Sequence, residues 1–136
     1  MSMLLDSNII IYSAQPDYKK LLDFISTQNG VIVSIISKIE VLGYHKLTDF
    51  EKENFQLFFN SIPILRLSDE IVDIAIELRQ RIKISLGDSI IAATALQKGI
   101  PLITNNTDDF KHIEELELIT LDDIIGGKEE KSIPME

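Results

Sequence analysis

Apolar residues in this chain come as five short solid runs, set apart by longer stretches in which they recur every third or fourth position. The solid runs are Met3-Leu4-Leu5, Val31-Ile32-Val33, Pro63-Ile64-Leu65, Pro101-Leu102-Ile103-Thr104 and Leu118-Ile119, and each reads as a strand buried on both faces. Between the first two, Ser7 or Asn8 suits a helix cap before Ile9-Ile10-Ile11-Tyr12. Pro16 then suits a first helical position, with Tyr18, Leu21, Leu22 and Ile25 at helical spacing until Gly30 offers a stop. A helix is expected from Ile36 to Lys46. Thr48 and Glu51 fit a capping box ahead of the stripe Phe55, Phe58, Phe59 and Ile62, and that stripe suits the core better than an interface. Ser68 caps a further helix with its core face on Ile71, Ile74, Ala75, Leu78 and Ile82. Gly87 to Lys98 is apolar on nearly every side, as in a fully buried helix, and Gly99 ends it. Asn105 to Phe110 reads as a polar turn.

Strands alternating with helices predict an α/β domain with a mostly parallel central sheet, and such sheets build their sites beyond the carboxyl ends of the strands. Residues 1–125 are expected to form that domain, and residues 126–136, opening Gly-Gly-Lys-Glu-Glu-Lys-Ser, a polar and flexible tail.

Composition narrows the chemistry. No apolar run is long enough for a membrane span, and no basic segment precedes the first apolar run as in a signal peptide, so the cytoplasm is the expected compartment. With no cysteine there is neither a disulfide nor a thiolate nucleophile nor a Cys-based zinc site. The formal net charge of -9 argues against a tight general nucleic-acid binder, whose affinity would come from phosphate contacts. Most of that acidity serves solubility; it leaves room for an enzyme that meets a phosphodiester through a cation.

Most carboxylates, such as Glu51, Glu53, Asp69, Glu70, Asp73 and Glu77, fall on caps or exposed helix faces. Three stand in apolar surroundings instead. Asp6 ends the first strand, Asp88 opens the most apolar helix, and Glu40 lies within a helix between Ile39 and Val41. Asp6 and Asp88 alone would pass for helix caps and Glu40 for an exposed position. A buried carboxylate needs a partner, and few basic residues lie near these three in sequence. One shared cation would satisfy all of them, and oxygen ligation with only His45 and His112 as nitrogen donors favours Mg²⁺ or Mn²⁺.

At these residues the chain resembles the PIN-domain ribonucleases, in particular the VapC-type toxins of toxin–antitoxin pairs. Leu4-Leu5-Asp6-Ser7-Asn8-Ile9-Ile10 is similar to the family's "LLDTNxxI", with Ser at the usual Thr. Residues 34–43, Ser-Ile-Ile-Ser-Lys-Ile-Glu-Val-Leu-Gly, resemble "SxITxxELxxG", and Gly87 to Ala95 matches "xDxxIAATA". Leu102 to Phe110 resembles "LxTxNxxDF". Four motifs in register over residues 3 to 121 carry the resemblance, where one alone would be weak.

The resemblance implies a three-layer PIN-like fold and metal-dependent hydrolysis of RNA. Asp6 and Asp88 would be the principal metal ligands, Glu40 would complete the acidic cluster, and Asn8, Thr104 and Asn106 would orient ligands or water from a second layer. Where many relatives carry a fourth acid this chain has Asn106, and Asp109 is the candidate to stand in for it. Also implied are a small antitoxin reaching into the acidic groove, a homodimer, and RNA contacts from Lys38, Lys46, Arg79 or Lys111. The alternative within the fold is a binding module whose nuclease activity is weak or lost. Outside it, an aspartyl-phosphate phosphatase would want a second Asp where Asn8 stands, and a phospho-accepting receiver a late-strand Lys where Thr104-Asn105-Asn106 stands.

Overall fold

The computed structural model describes residues 1–126. Its strands are β1 (Met3–Leu5), β2 (Val31–Ser34), β3 (Ile64–Leu65), β4 (Leu102–Thr104) and β5 (Leu118–Thr120). They form a single parallel sheet in the order β3-β2-β1-β4-β5. The helices are α1 (Ser7–Ser13), α2 (Lys19–Thr27) after a 3₁₀ turn at Pro16–Tyr18, α3 (Ile35–Leu42), α4 (Asp49–Asn60), α5 (Asp69–Arg81), α6 (Leu86–Lys98), α7 (Thr107–Phe110) and α8 (Leu121–Ile125).

Side chains alternate across the sheet and build one core on each face. Met3, Leu5, Val31, Val33 and Ile103 pack with Ile9, Ile10, Leu21, Phe55 and Phe59. Leu4 and Leu102 pack on the other face with Ile71, Leu78, Ile91 and Phe110. The central strands β1 and β4 are buried throughout and carry unbroken apolar runs, the edge strands β3 and β5 are partly exposed, and the result is the expected three-layer α/β arrangement.

The chain lays β2 and β3 on one side of β1, then crosses to place β4 and β5 on the other. The reversal leaves the carboxyl ends of β1 and β4 side by side, with Leu5 paired to Ile103. That is the switch point where open parallel sheets form their crevice. Asp6 and Thr104 stand there.

Local departures from the expected elements have local causes. The helix expected to reach Lys46 ends at Leu42, where the Gly43 N–H donates to the Ile39 carbonyl and the Tyr44 N–H to the Val41 carbonyl. Asp6, rather than Ser7 or Asn8, caps α1. Ser85 caps α6, so Asp88 lies in its first turn. The turn expected at 105–110 contains α7, and a Thr120–Asp123 capping box starts α8, which had no apolar stripe to announce it. Apart from Gly126, the expected tail lies outside the described residues. Among the described residues no helix is long and apolar enough to cross a membrane.

Candidate active site

Asp6 is fixed by its neighbours on both carboxylate oxygens. Oδ1 accepts from the Ser7 backbone N–H at 2.7 Å, and Oδ2 accepts from the Thr104 hydroxyl at 2.7 Å. Thr104 Oγ1 in turn accepts from the Asn106 backbone N–H at 2.9 Å, which fixes the rotamer of the threonine. The aspartate is therefore both the cap of α1 and the end of a hydrogen-bond chain from the β4–α7 loop. With 3% of its surface exposed, its charge has little solvent to stabilise it. Burial pushes its carboxyl from 3.8 up to about 6; the Thr104 and Ser7 hydrogen bonds pull the other way, and the charges of Asp88 and Glu40 push further upward.

Glu40 reaches this region from α3. Its Oε1 lies 2.6 Å from Ser7 Oγ, which is itself 2.9 Å from Ser37 Oγ. Its Oε2 lies against Gly87, filling the space a Cβ at that position would need. Glu40 thus sits between Ser7 and Gly87, the chain neighbours of Asp6 and Asp88. Only a residue without a side chain lets the α6 terminus approach this carboxylate so closely.

Asp88 is half-buried, and its backbone N–H donates to Ser85 Oγ at 3.1 Å. Its carboxyl is pushed upward, chiefly by burial and then by the charges of Asp109 and Glu40, while the Ser85 hydroxyl opposes the rise. Asp109 lies exposed on α7, within electrostatic reach of Asp88. No lysine or arginine is among the groups that perturb Asp6 or Asp88.

Three acids from β1, α3 and α6 therefore share one end of the sheet, and Asp109 stands beside Asp88. Of the expected supporting residues, Thr104 contacts Asp6 directly, Asn106 acts through its backbone on Thr104, and Asn8 is exposed and hydrogen-bonds none of these acids. Ser7 occupies the place Asn8 was expected to take, and its motif position beside Asp6 was the available signal. Gly87 was equally visible as a motif residue, but only its approach to Glu40 reveals its purpose.

These carboxylates are not drawn into a closed ligand cage. Among the described residues, no group of three or more His, Asp or Glu side chains is gathered tightly enough to hold an ion. The donor chemistry fits a hard divalent cation: oxygen-only, anionic, partly desolvated and without a neutralising side chain. Asp108, which lines a groove together with Asp88 and Asp109, pairs with Lys111 at 3.5 Å.

The chain is an open parallel α/β domain with acids gathered at the switch point of its sheet. The match to known proteins is specific: residues 3–116 fit the PIN domain, and the chain belongs to that family. It is 49% identical over 43 residues to Ribonuclease VapC of Rickettsia bellii, a match covering 32% of either chain, so that alignment spans about a third of the relative's length. It is 27% identical over 127 residues to Ribonuclease VapC2 of Rickettsia felis, covering 85% of this chain and 95% of that one. A toxin–antitoxin complex from Klebsiella pneumoniae contains a chain that superposes with a TM-score of 0.70 at 31% identity, covering 88% of this chain and 97% of that one.

Proposed function

We propose that this protein is a Mg²⁺- or Mn²⁺-dependent endoribonuclease, the toxin of a toxin–antitoxin pair. The observation that carries the reading is the convergence of Asp6, Glu40 and Asp88 at the switch point, where the charges of Asp88 and Glu40 push the buried Asp6 carboxyl upward. The relatives named ribonucleases support the substrate class, and the Klebsiella complex supports the partner.

In this reading Asp6 and Asp88 are the main ligands, Glu40 completes the set and Asp109 is the candidate fourth. A bound divalent ion supplies charge neutralisation at the scissile phosphate and a water acidified towards hydroxide. The protein supplies orientation. Thr104 and the Ser7 N–H hold Asp6 in one rotamer, so that its lone pairs are presented without loss of side-chain entropy on binding. Ser7 restrains Glu40 between the two aspartates. Ser85 and the first turn of α6 favour ionised Asp88 against its burial.

The antitoxin would reach the acidic site with a basic group, by charge complementarity. Phe55 and Phe58 line an open apolar groove of about 650 Å³ with Ala14, Pro16 and Leu22, a surface suited to the rest of such a partner. Phe59 is buried in the core and inaccessible to either partner or a second copy. We also infer a homodimer.

The test is cleavage of total RNA by wild type and Asp6→Asn, with and without Mg²⁺ or Mn²⁺, and mapping of the cut ends. Metal-dependent cuts that vanish in the variant support the reading. Equal cleavage by both proteins identifies a contaminant and defeats it; no cleavage by either, with antitoxin binding retained, leaves a binding module.

A further inference from the structure

From Asp88 a groove of about 990 Å³ runs away from Asp6 and Glu40, lined among others by Arg79, Lys83, Ser85, Asp88, Asp109 and His112. Its lining mixes charges: Asp88, Asp108 and Asp109 share it with Arg79, from the end of α5, and Lys83, from the segment joining α5 to α6.

The cations around this region are not equivalent. Arg81 is 3.7 Å from Glu115, and Lys111 is 3.5 Å from Asp108. Neither Arg79 nor Lys83 has an ion pair among the described residues, in a chain with 22 acidic side chains to offer. Arg79 is nevertheless placed: its Nε donates to the Ile84 carbonyl at 3.4 Å. That hydrogen bond ties the end of α5 to the loop before α6 and leaves both terminal amino groups of the guanidinium without a protein partner among the described residues. A guanidinium anchored through Nε with its Nη pair free is arranged for an anion with two oxygens to offer.

Resting on the endoribonuclease reading, we propose that Arg79 and Lys83 are positioning residues that hold a backbone phosphate of the RNA strand next to the one at the carboxylate site. A strand crossing the acids meets the groove directly, since Asp88 belongs to both. Its next phosphate would then face Arg79 and Lys83, which no ion pair compensates among the described residues. This also answers how an acidic protein engages RNA at all. Binding through sugar-phosphate rather than base edges leaves this contact indifferent to sequence.

The experiment separates this claim from cleavage by measuring binding in an Asp6→Asn background. Fluorescein-labelled single-stranded oligoribonucleotides of random sequence are titrated by anisotropy over a salt series. Adding Arg79→Gln and Lys83→Gln should weaken binding. The dependence of log K on log salt should flatten by about 0.7, for the one phosphate of a single strand that is no longer neutralised. Arg79→Lys should restore part of the affinity but not the bidentate contribution. In the otherwise wild-type enzyme the same pair should raise KM with little change in kcat. Both side chains are exposed, so an unchanged circular-dichroism melt is the expected folding control. An unchanged affinity and salt slope, in a protein whose wild type cleaves RNA, overturns the proposal and leaves Arg79 and Lys83 to a protein partner. A wild type that neither cleaves nor binds RNA defeats the endoribonuclease reading itself, and this inference with it.

Discussion

Replacing Asp6 by Asn should stabilise the metal-free protein while abolishing its activity, and the stabilisation should depend on pH in a defined way. Moving a carboxyl from 3.8 to about 6 on folding corresponds to about 3 kcal/mol between its protonated and charged forms. The folded-state value lies above the unfolded one, so between them the native protein holds a proton that the unfolded chain has released. Stability from this group is therefore complete below about pH 4, falls as pH rises to about 6, and is flat beyond. Asp88 is shifted in the same direction and steepens the fall in both proteins, so the comparison of wild type with Asp6→Asn isolates the first acid. The amide carbonyl of Asn can still accept from the Ser7 N–H, and its NH₂ can face Thr104 Oγ1, so little hydrogen bonding is forfeited. Urea unfolding followed by far-ultraviolet circular dichroism in EDTA should show near-equal stability at pH 3 and an advantage of about 2–3 kcal/mol for the variant at pH 8. Adding Mg²⁺ at pH 8 should close the gap by stabilising wild type alone, by about 2.7 kcal/mol at a hundredfold excess over Kd. A difference independent of pH, or a variant less stable at pH 8, would refute the reasoning that desolvation and repulsion dominate at Asp6.

Gly87→Ala should separate folding from function. A Cβ there displaces only the end of the Glu40 side chain and adds up to about 1 kcal/mol of helix propensity, so thermal melting should hold or rise while cleavage falls; full activity would show that the Glu40 position is immaterial. Thr104→Val removes the hydroxyl that donates to Asp6 and accepts from the Asn106 N–H, and should cost about 1–3 kcal/mol in urea unfolding together with weaker Mg²⁺ binding by calorimetry. Light scattering at micromolar concentration should give the mass of a dimer; a monomer there refutes the inferred self-association.

The sheet was legible because burying both faces forces solid apolar runs, and solid runs of this length have few alternatives to a strand. All five observed strands overlap the expected runs, and Ser68 and the Thr48–Glu51 box cap the helices they were read to cap. What the pattern could not supply was end geometry. A cap is a contest between adjacent polar residues, and Asp6 wins over Ser7 and Asn8 because the strand before it already fixes an extended backbone there, with φ -70 and ψ 153. Helix α8 and the short α7 lack a stripe long enough to display a period, so they were invisible.

Asp6 was legible for a different reason: it breaks the local rule that the surrounding residues obey, whereas Glu40 is exposed and its apolar chain neighbours misstated its burial. Asp6 follows three buried residues and is itself buried, a placement that costs stability without a partner, as its upward shift records. Such a cost marks a site where local consistency has been given up for function. The residues that make the site workable break no such rule. A serine beside an aspartate and a glycine in a first helical turn are ordinary locally, and only the proximity of Ser7 and Gly87 to Glu40, from 33 residues on one side and 47 on the other, gives them a purpose. Sequence therefore displays the charges that strain the fold and conceals the neutral groups that aim them. Arg79 could be named from sequence as one of several candidate RNA contacts, but its pairing with Lys83 in one groove is concealed in the same way, since its meaning lies in the ion pairs that these two side chains lack and that Arg81 and Lys111 have.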